Sequence, residues 1–416
     1  MVVAKNAIDV ANEKALEQII TAQVFWSDMR PASEVIPELN DGLLLHGGPP
    51  LPWSHMCSGM RSAIYGAIIY EGWAPDLQAA ESLVNSGKFK FDSAHEHSAL
   101  GPMAGIISPS MPMMVLENRT FGNRVYVTLN EGLGKTLRFG ANDSTVIKRL
   151  KWMEQTLAPM LKEALALSEP LDITNIIERA VQRGDECHNR NKAATSLVIR
   201  KLAPWLVKTS FSKEDIAETL FFLDSNDHFF LNLSMATSKA TLDTIYSIED
   251  STIVSCIATN GYEFGIKVAG SGKRWFTEPV VTGEGTFFKG YGPEDANPIM
   301  GDSFISESAG LGGVAMAGAL GIIRFVGGTV DKAIANTLEM YKITAAEHPR
   351  YKIPTLGFRG TPLGIAIRLV LSTGITPVFN MGIASKHPGV GQIGAGLFHP
   401  TLLCFQKAGK ELGLIS

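Results

Sequence analysis

An Asn-Gly pair at 260–261 stands between two apolar runs, 252–258 and 262–268. Asn-Gly is favoured where both central residues of a two-residue turn need positive φ. The flanking runs therefore read as the arms of an antiparallel hairpin, so the chain beyond residue 249 must contain a sheet. A different pattern precedes it. Val146, Leu150, Met153, Leu157, Leu161 and Leu165 recur at spacings of three and four, one apolar stripe along a helix. Pro159 lies inside that stripe and predicts a kink, because it removes a backbone donor. Asn175 with Glu178 and Ser212 with Asp215 have the spacing of helix N-caps. Gly184 reads as the stop between two helices.

These patterns divide the chain into three regions: 1–142 mixed, 143–248 helical, 249–416 mixed. The fold class that follows is α+β or α/β, with two mixed α/β domains and a small all-helical domain between them in sequence. The 416 residues agree, at roughly 150 residues per domain. In the first region 42–46 reads as a buried strand entering the Gly47-Gly48-Pro49-Pro50 loop, 75–87 as a helix, and 113–116 and 124–129 as strands. Met111, Met113 and Met114 fit a core strand better than a thioether metal site. Asp227-His228-Phe229-Phe230 reads as a helix start with buried aromatics. A helix is expected near 331–347, followed by strands and Gly-rich loops over 360–396. With 41 glycines and 21 prolines, the backbone is rich in tight turns.

Composition excludes several classes. The 37 basic and 41 acidic residues leave a net charge of -4 without a basic stripe, so no nucleic acid is expected. The apolar run 310–323 ends at Arg324, short of the about 20 residues a span requires, and reads as a buried helix. No membrane association is expected. Lys5, Asp9, Glu13 and Lys14 argue against a signal peptide. Cys57, Cys187, Cys256 and Cys404 form no CxxC pair, which fits a reducing, cytoplasmic setting.

Familiar motifs fail on inspection. Gly134-Lys135-Thr136 resembles the end of a P-loop, but Leu129 stands where the pattern needs glycine. The segment 389–394 matches GxGxxG, yet no βαβ unit with an acidic ribose ligand follows it. HExxH and GxSxG are absent, as is the STRT segment of aspartate and ornithine carbamoyltransferases.

Four polar clusters remain. In His95-Glu96-His97 an extended backbone would turn both rings to one side, as a metal pair or a base with its helper. Asn130-Glu131-Gly132-Leu133-Gly134-Lys135 with Arg138 combines turn amides and cations suited to phosphate or carboxylate. In 184–191 Asp185 and His188, and Glu186 and Arg190, would share helix faces, the carboxylate orienting the ring and Arg190 holding an anion. Finally, Asp302, Ser303 and Gln392 lie on Gly-rich loops that a ligand could approach. Each cluster also has a purely structural reading as turn, cap or surface pair.

Together, the stretches GPMAGIISPSMPM (101–113), NEGLGKTLRFG (130–140), GDECHNRN (184–191), FFLNLSMA (229–236), NGYEFGI (260–266), ANPIMGDS (296–303) and GITPVFNMGIASKHPGVGQIGAG (374–396) resemble the AllG-like family. The resemblance is collinear from about residue 20 to the C-terminus. It implies two α/β domains with a small helical one, and a subunit of a heteromeric oxamate carbamoyltransferase of allantoin and purine catabolism. Such an enzyme interconverts oxalurate and phosphate with oxamate and carbamoyl phosphate, and needs other kinds of subunit.

That chemistry needs cations for two anions, donors for a developing oxyanion, and a group handling the amide proton. Set against the residues, it assigns Lys135, Arg138 and the 131–134 turn to phosphate and Arg190 to the substrate carboxylate. His188 or His95 is the acid/base, with Asp185 orienting His188, and Asn130 and Gln392 hold the carbamoyl oxygen. The scheme requires no metal and no cofactor. Two other readings stay open: a non-catalytic assembly subunit, or a hydrolase binding a divalent metal through His95, His97, Asp185 and His188. A homodimer is also open.

Overall fold

The apolar positions of 24–31 and 112–118 build the first sheet. The computed structural model describes residues 6–281 and 283–415, so the early charge at Lys5 lies outside the described residues. Pro112–Asn118, which carries Met113 and Met114, pairs antiparallel with Val24–Pro31 on one side and Arg124–Thr128 on the other. Leu171–Asp172 and Ala99–Leu100 close the two edges of this five-stranded sheet. Helix Phe229–Leu242 is buried along its whole length and packs on Pro112–Asn118 and Arg124–Thr128. Helices Ala158–Leu167 and Ile173–Val181 pack on Val24–Pro31. The helical stretch and the first sheet therefore share one hydrophobic cluster.

The C-terminal region supplies three further sheets. Four strands run in the order Phe276–Pro279, Glu263–Val268, Val254–Asn260, Met300–Gly301, and three in the order Glu284–Phe287, Gln392–Phe398, Phe379–Ala384. Thr344–Ile353 pairs with Arg359–Ile365. The result is a mixed α/β fold. Between the four- and three-stranded sheets lie the rings of Phe264, Phe304, Phe379 and Phe398, with Phe304 stacked 4.6 Å from Phe379 and 5.7 Å from Phe398. Glu284–Phe287 approaches its neighbour closely because Gly396 has no side chain; a Cβ there would overlap the Glu284 carbonyl oxygen.

The hairpin forms, but its turn works differently from the expectation. Only Gly261 takes positive φ, at 80°. Asn260 acts through its side chain: Oδ1 accepts from Tyr262 N at 3.0 Å and Glu263 N at 2.7 Å, an Asx turn. Where the sequence predicts a kink at Pro159, the helix is interrupted just before it. A π-helical turn, Met153–Leu157, joins Ser144–Trp152 to Ala158–Leu167, which carries Pro159 in its first turn. Ser212 caps its helix as expected, whereas Asp172 takes the cap expected of Asn175 by accepting from Asn175 N. The run 310–323 is a succession of 3-10 turns, a buried one at Gly312–Gly318 and a partly exposed one at Leu320–Ile322, too glycine-rich for one α-helix. The helix expected over 331–347 is Val330–Met340, and the strand Thr344–Ile353 begins soon after it. Among the described residues no helix is long and apolar enough to cross a membrane.

The ring cluster should dominate the stability of the C-terminal region. Phe398→Ala is expected to lower unfolding free energy by about 3–5 kcal/mol in urea denaturation, through lost transfer energy and the cavity left behind.

Candidate active site

Turn 130–138 follows the strand Arg124–Thr128 and leads into a short 3-10 turn, Leu137–Phe139. Its conformation is held from inside. Asn130 Oδ1 accepts from Gly132 N at 2.9 Å, while Asn130 Nδ2 donates to Asn232 Oδ1 at 2.7 Å. The buried Glu131 carboxylate accepts from Leu137 N at 2.9 Å and Arg138 N at 3.1 Å. Burial raises the Glu131 pKa against those donors and the nearby arginines. Gln392 Oε1 accepts from Gly134 N at 3.1 Å, and Gln392 N donates to Gly134 O at 3.0 Å. The turn amides at 132 and 134 are thus committed to protein acceptors, which corrects the expectation that they cradle phosphate. Asn130 and Gln392 use their amide groups to shape the turn.

Arg138 is buried and donates from Nε at 3.1 Å and Nη2 at 2.5 Å to Gly132 O. Burial lowers its pKa to about 10 despite Glu131, so it stays a cation near neutrality. It lines a crevice shared with His188, Asn189, His228, Ser303 and Gln392. The free space is small, about 20 Å³, which is room for roughly one water.

His188 reaches this crevice from a loop. Residues 184–191 are irregular turns between two helices, so the i,i+3 spacing does not bring Asp185 to His188. Asp185 instead accepts from Ala194 N at 2.8 Å in the first turn of helix Lys192–Leu206. The partner of His188 is Glu307, whose Oε1 lies 2.8 Å from Nδ1. The same oxygen accepts from Gly313 N at 2.8 Å and Asn380 N at 3.1 Å. With Nδ1 held by a carboxylate, Nε2 is the ring nitrogen left to the crevice. Burial opposes a charge on His188, but Glu307 outweighs it and raises the ring's pKa.

Glu186 braces the loop by accepting from His188 N at 2.8 Å and Arg190 N at 2.5 Å. Burial pushes its pKa up to about 7, with the Glu307 charge adding to the rise and His188 opposing it. Asp185 is likewise pushed up to about 7 by burial, against Arg190. His228 is the opposite case. Burial, then Arg138 and His188, lower its pKa to about 3, so a neutral ring bonds from Nε2 to Asn189 O at 2.8 Å.

Lys135, Asp185, Asn130, Arg190 and His95 do not line this crevice. Lys135 is exposed and paired with Asp143. The Arg190 side chain is 39% exposed, donates to Gly184 O at 2.8 Å and lies 3.6 Å from Asp185. His95 and His97 part because 94–97 forms a 3-10 turn, in which residues two apart point in different directions. His97 turns to Asp92 at 3.0 Å. His95 Nε2 lies 3.1 Å from Asp302, and Nδ1 3.5 Å from Cys256 Sγ. Burial alone would discharge the His95 ring; the Cys256 sulfur and Asp302 carboxylate outweigh it and raise its pKa to about 9. The four proposed metal ligands therefore face different partners, and among the described residues no three His, Cys, Asp or Glu side chains are grouped to hold a metal.

Asp302 also accepts from Gly48 N at 2.5 Å and Gly101 N at 2.9 Å, tying two glycine loops to the segment that presents Ser303. Sequence reasoning missed Glu307. Its signal was isolation: it is the one charged residue between Asp302 and Arg324. His228, which by sequence reads as part of a helix start, lines the crevice as well.

The Glu186 geometry fixes a sign for pH dependence. A carboxyl whose folded pKa is raised binds its proton more tightly when folded, so stability falls as pH rises from the unfolded value near 4.5 through about 7. Relative to wild type, Glu186→Gln should gain about 1–3 kcal/mol between pH 5 and 8. Parallel stability-pH curves in urea titrations would exclude this.

The oxamate carbamoyltransferase subunit AllG family matches residues 89–303 of the chain. Oxamate carbamoyltransferase subunit AllG of Escherichia coli K12 is 46% identical over 410 residues, 98% of each protein. The uncharacterized protein YahG of the same organism is 44% identical over 403 residues, 97% of this chain and 85% of that one. A crystal structure of a conserved protein of unknown function from Enterococcus faecalis V583 superposes with a TM-score of 0.96 at 43% identity, over 99% of both chains.

Proposed function

The chain belongs to the AllG family of oxamate carbamoyltransferase subunits, and we propose that it works as a carbamoyltransferase subunit whose reacting centre is the Arg138–His188 crevice. The reaction in this reading is phosphorolysis of oxalurate to oxamate and carbamoyl phosphate, or its reverse, in allantoin breakdown. One observation carries it: a buried cation and a carboxylate-held imidazole line the same crevice.

Arg138 holds an anionic oxygen of phosphate or of the oxalurate carboxylate. A phosphate oxygen attacks the carbamoyl carbon, and the bond from that carbon to the oxamate nitrogen breaks with its electron pair. His188 Nε2 relays the proton that leaves the phosphate hydroxyl to this nitrogen. Glu307 keeps the ring oriented and compensates the imidazolium. Ser303 offers a hydroxyl to the developing oxyanion. Lys135 and Arg190, away from the crevice, are outside this assignment.

Free space for about one water favours a second reading, in which the subunit is an assembly component without its own chemistry. In the first reading, two small anions enter only when the Arg138 turn moves within the assembled complex. The two separate by experiment. In the complex, His188→Gln should lower kcat by about 10²–10⁴-fold. Glu307→Gln should shift the pH-profile limb belonging to His188 to lower pH, because it removes the charge that raises that ring's pKa. Near-wild-type turnover in His188→Gln and Arg138→Ala, with the complex intact, selects the assembly reading.

A further inference from the structure

Helices Ser144–Trp152 and Lys213–Ser225 border an open groove away from the crevice, with about 590 Å³ of free space. Its apolar surface comes from Trp152, Phe221 and Phe222, with the Trp152 and Phe222 rings 5.2 Å apart. Phe221 is 75% exposed, the most exposed of the large apolar side chains among the described residues. Lys148 and Arg149 make one wall cationic, and Glu218 stands on the other. Behind this wall two buried donors, Trp152 Nε1 and Arg149 Nε, have no acceptor in the structure. The π-helical turn Met153–Leu157 starts directly after Trp152.

We propose that this groove docks a segment of a different subunit, one that sets an apolar side chain on Phe221 and Trp152 and a carboxylate against Lys148 and Arg149. The proposal rests on the reading of the chain as part of a heteromeric enzyme. Charge complementarity selects the carboxylate: a chain of net charge -4 here lines one wall with two cations, Lys148 and Arg149. Exposed aromatics rimmed by charge are the usual composition of an interface anchor. A second copy fits less well, because a two-fold contact would set one concave groove against another.

The groove is nonetheless linked to the turn that carries Arg138. Arg149 Nη2 donates to Lys135 O at 2.6 Å, and Lys135 follows Gly134 in the turn that Gln392 clasps. A carboxylate drawing on Arg149 therefore competes with the bond that steadies the Arg138 turn, so that docking and opening of the crevice are linked.

The test is sedimentation velocity of the full chain titrated with its purified partner subunits. Phe221→Ser is expected to weaken assembly at least about tenfold and Lys148→Glu about three- to tenfold, with unchanged circular dichroism. Phe358→Ser, at another aromatic that is 60% exposed, should leave assembly unchanged. If the wild-type chain assembles and both groove variants match it, the groove assignment falls while the heteromeric reading stands. If the wild type binds no other subunit, the heteromeric reading falls and takes this proposal with it. A wild-type homodimer that Phe221→Ser dissociates would make the occupant a second copy and overturn the proposal. Equal weakening by Phe358→Ser would also overturn it.

Discussion

Two buried carboxylates, Asp302 and Glu307, hold together the part of the molecule that carries the candidate chemistry. A charge removed from water costs several kcal/mol unless donors converge on it, and here they come from distant loops. Asp302 collects Gly48 N, Gly101 N and His95; Glu307 collects His188, Gly313 N and Asn380 N. The loops involved lie largely outside the sheet ladders. Their relative positions depend on these shared acceptors, and removing either acid would strand several buried donors at once.

The same economy explains the crevice. Glu131 and Gln392 take the amides of the 130–138 turn, which leaves the Arg138 guanidinium as the feature the turn presents. Burial, reinforced by Arg138 and His188, keeps His228 neutral. Charge is thus concentrated on two side chains, one a permanent cation and one an imidazole whose charge Glu307 favours. The cluster of His95, Asp302 and Cys256 backs onto this site through the 101–103 and 302–303 segments, and supports it without lining it.

The groove beside Phe221, proposed above as a docking surface, includes Arg149 on the helix that holds the Lys135 carbonyl of the Arg138 turn. A subunit that reacts only within its complex would gain from that arrangement, since a closed crevice protects the buried charges until the partner is in place.

What the sequence determined by itself were features set by neighbours along the chain. The hairpin at 260–261, the helical stripe from Val146 to Leu165, the methionine strand and the Ser212 cap all follow from periodicity or from contacts a few residues apart. Local reasoning failed where two local solutions compete, as at Asn260, which turns the chain with its side chain, and at 94–97, which coils instead of extending. Only the tertiary structure decided who pairs with whom at the site. His188 and Glu307 are 119 positions apart, Gly134 and Gln392 are 258 apart, and Gly48 and Asp302 are 254 apart. Asp185, three residues from His188, is its natural partner by sequence spacing, yet it is spent on a helix start. The physical reason is that a buried charge is satisfied by whichever donors packing brings within hydrogen-bond reach, and packing over such separations leaves no trace in residue spacing.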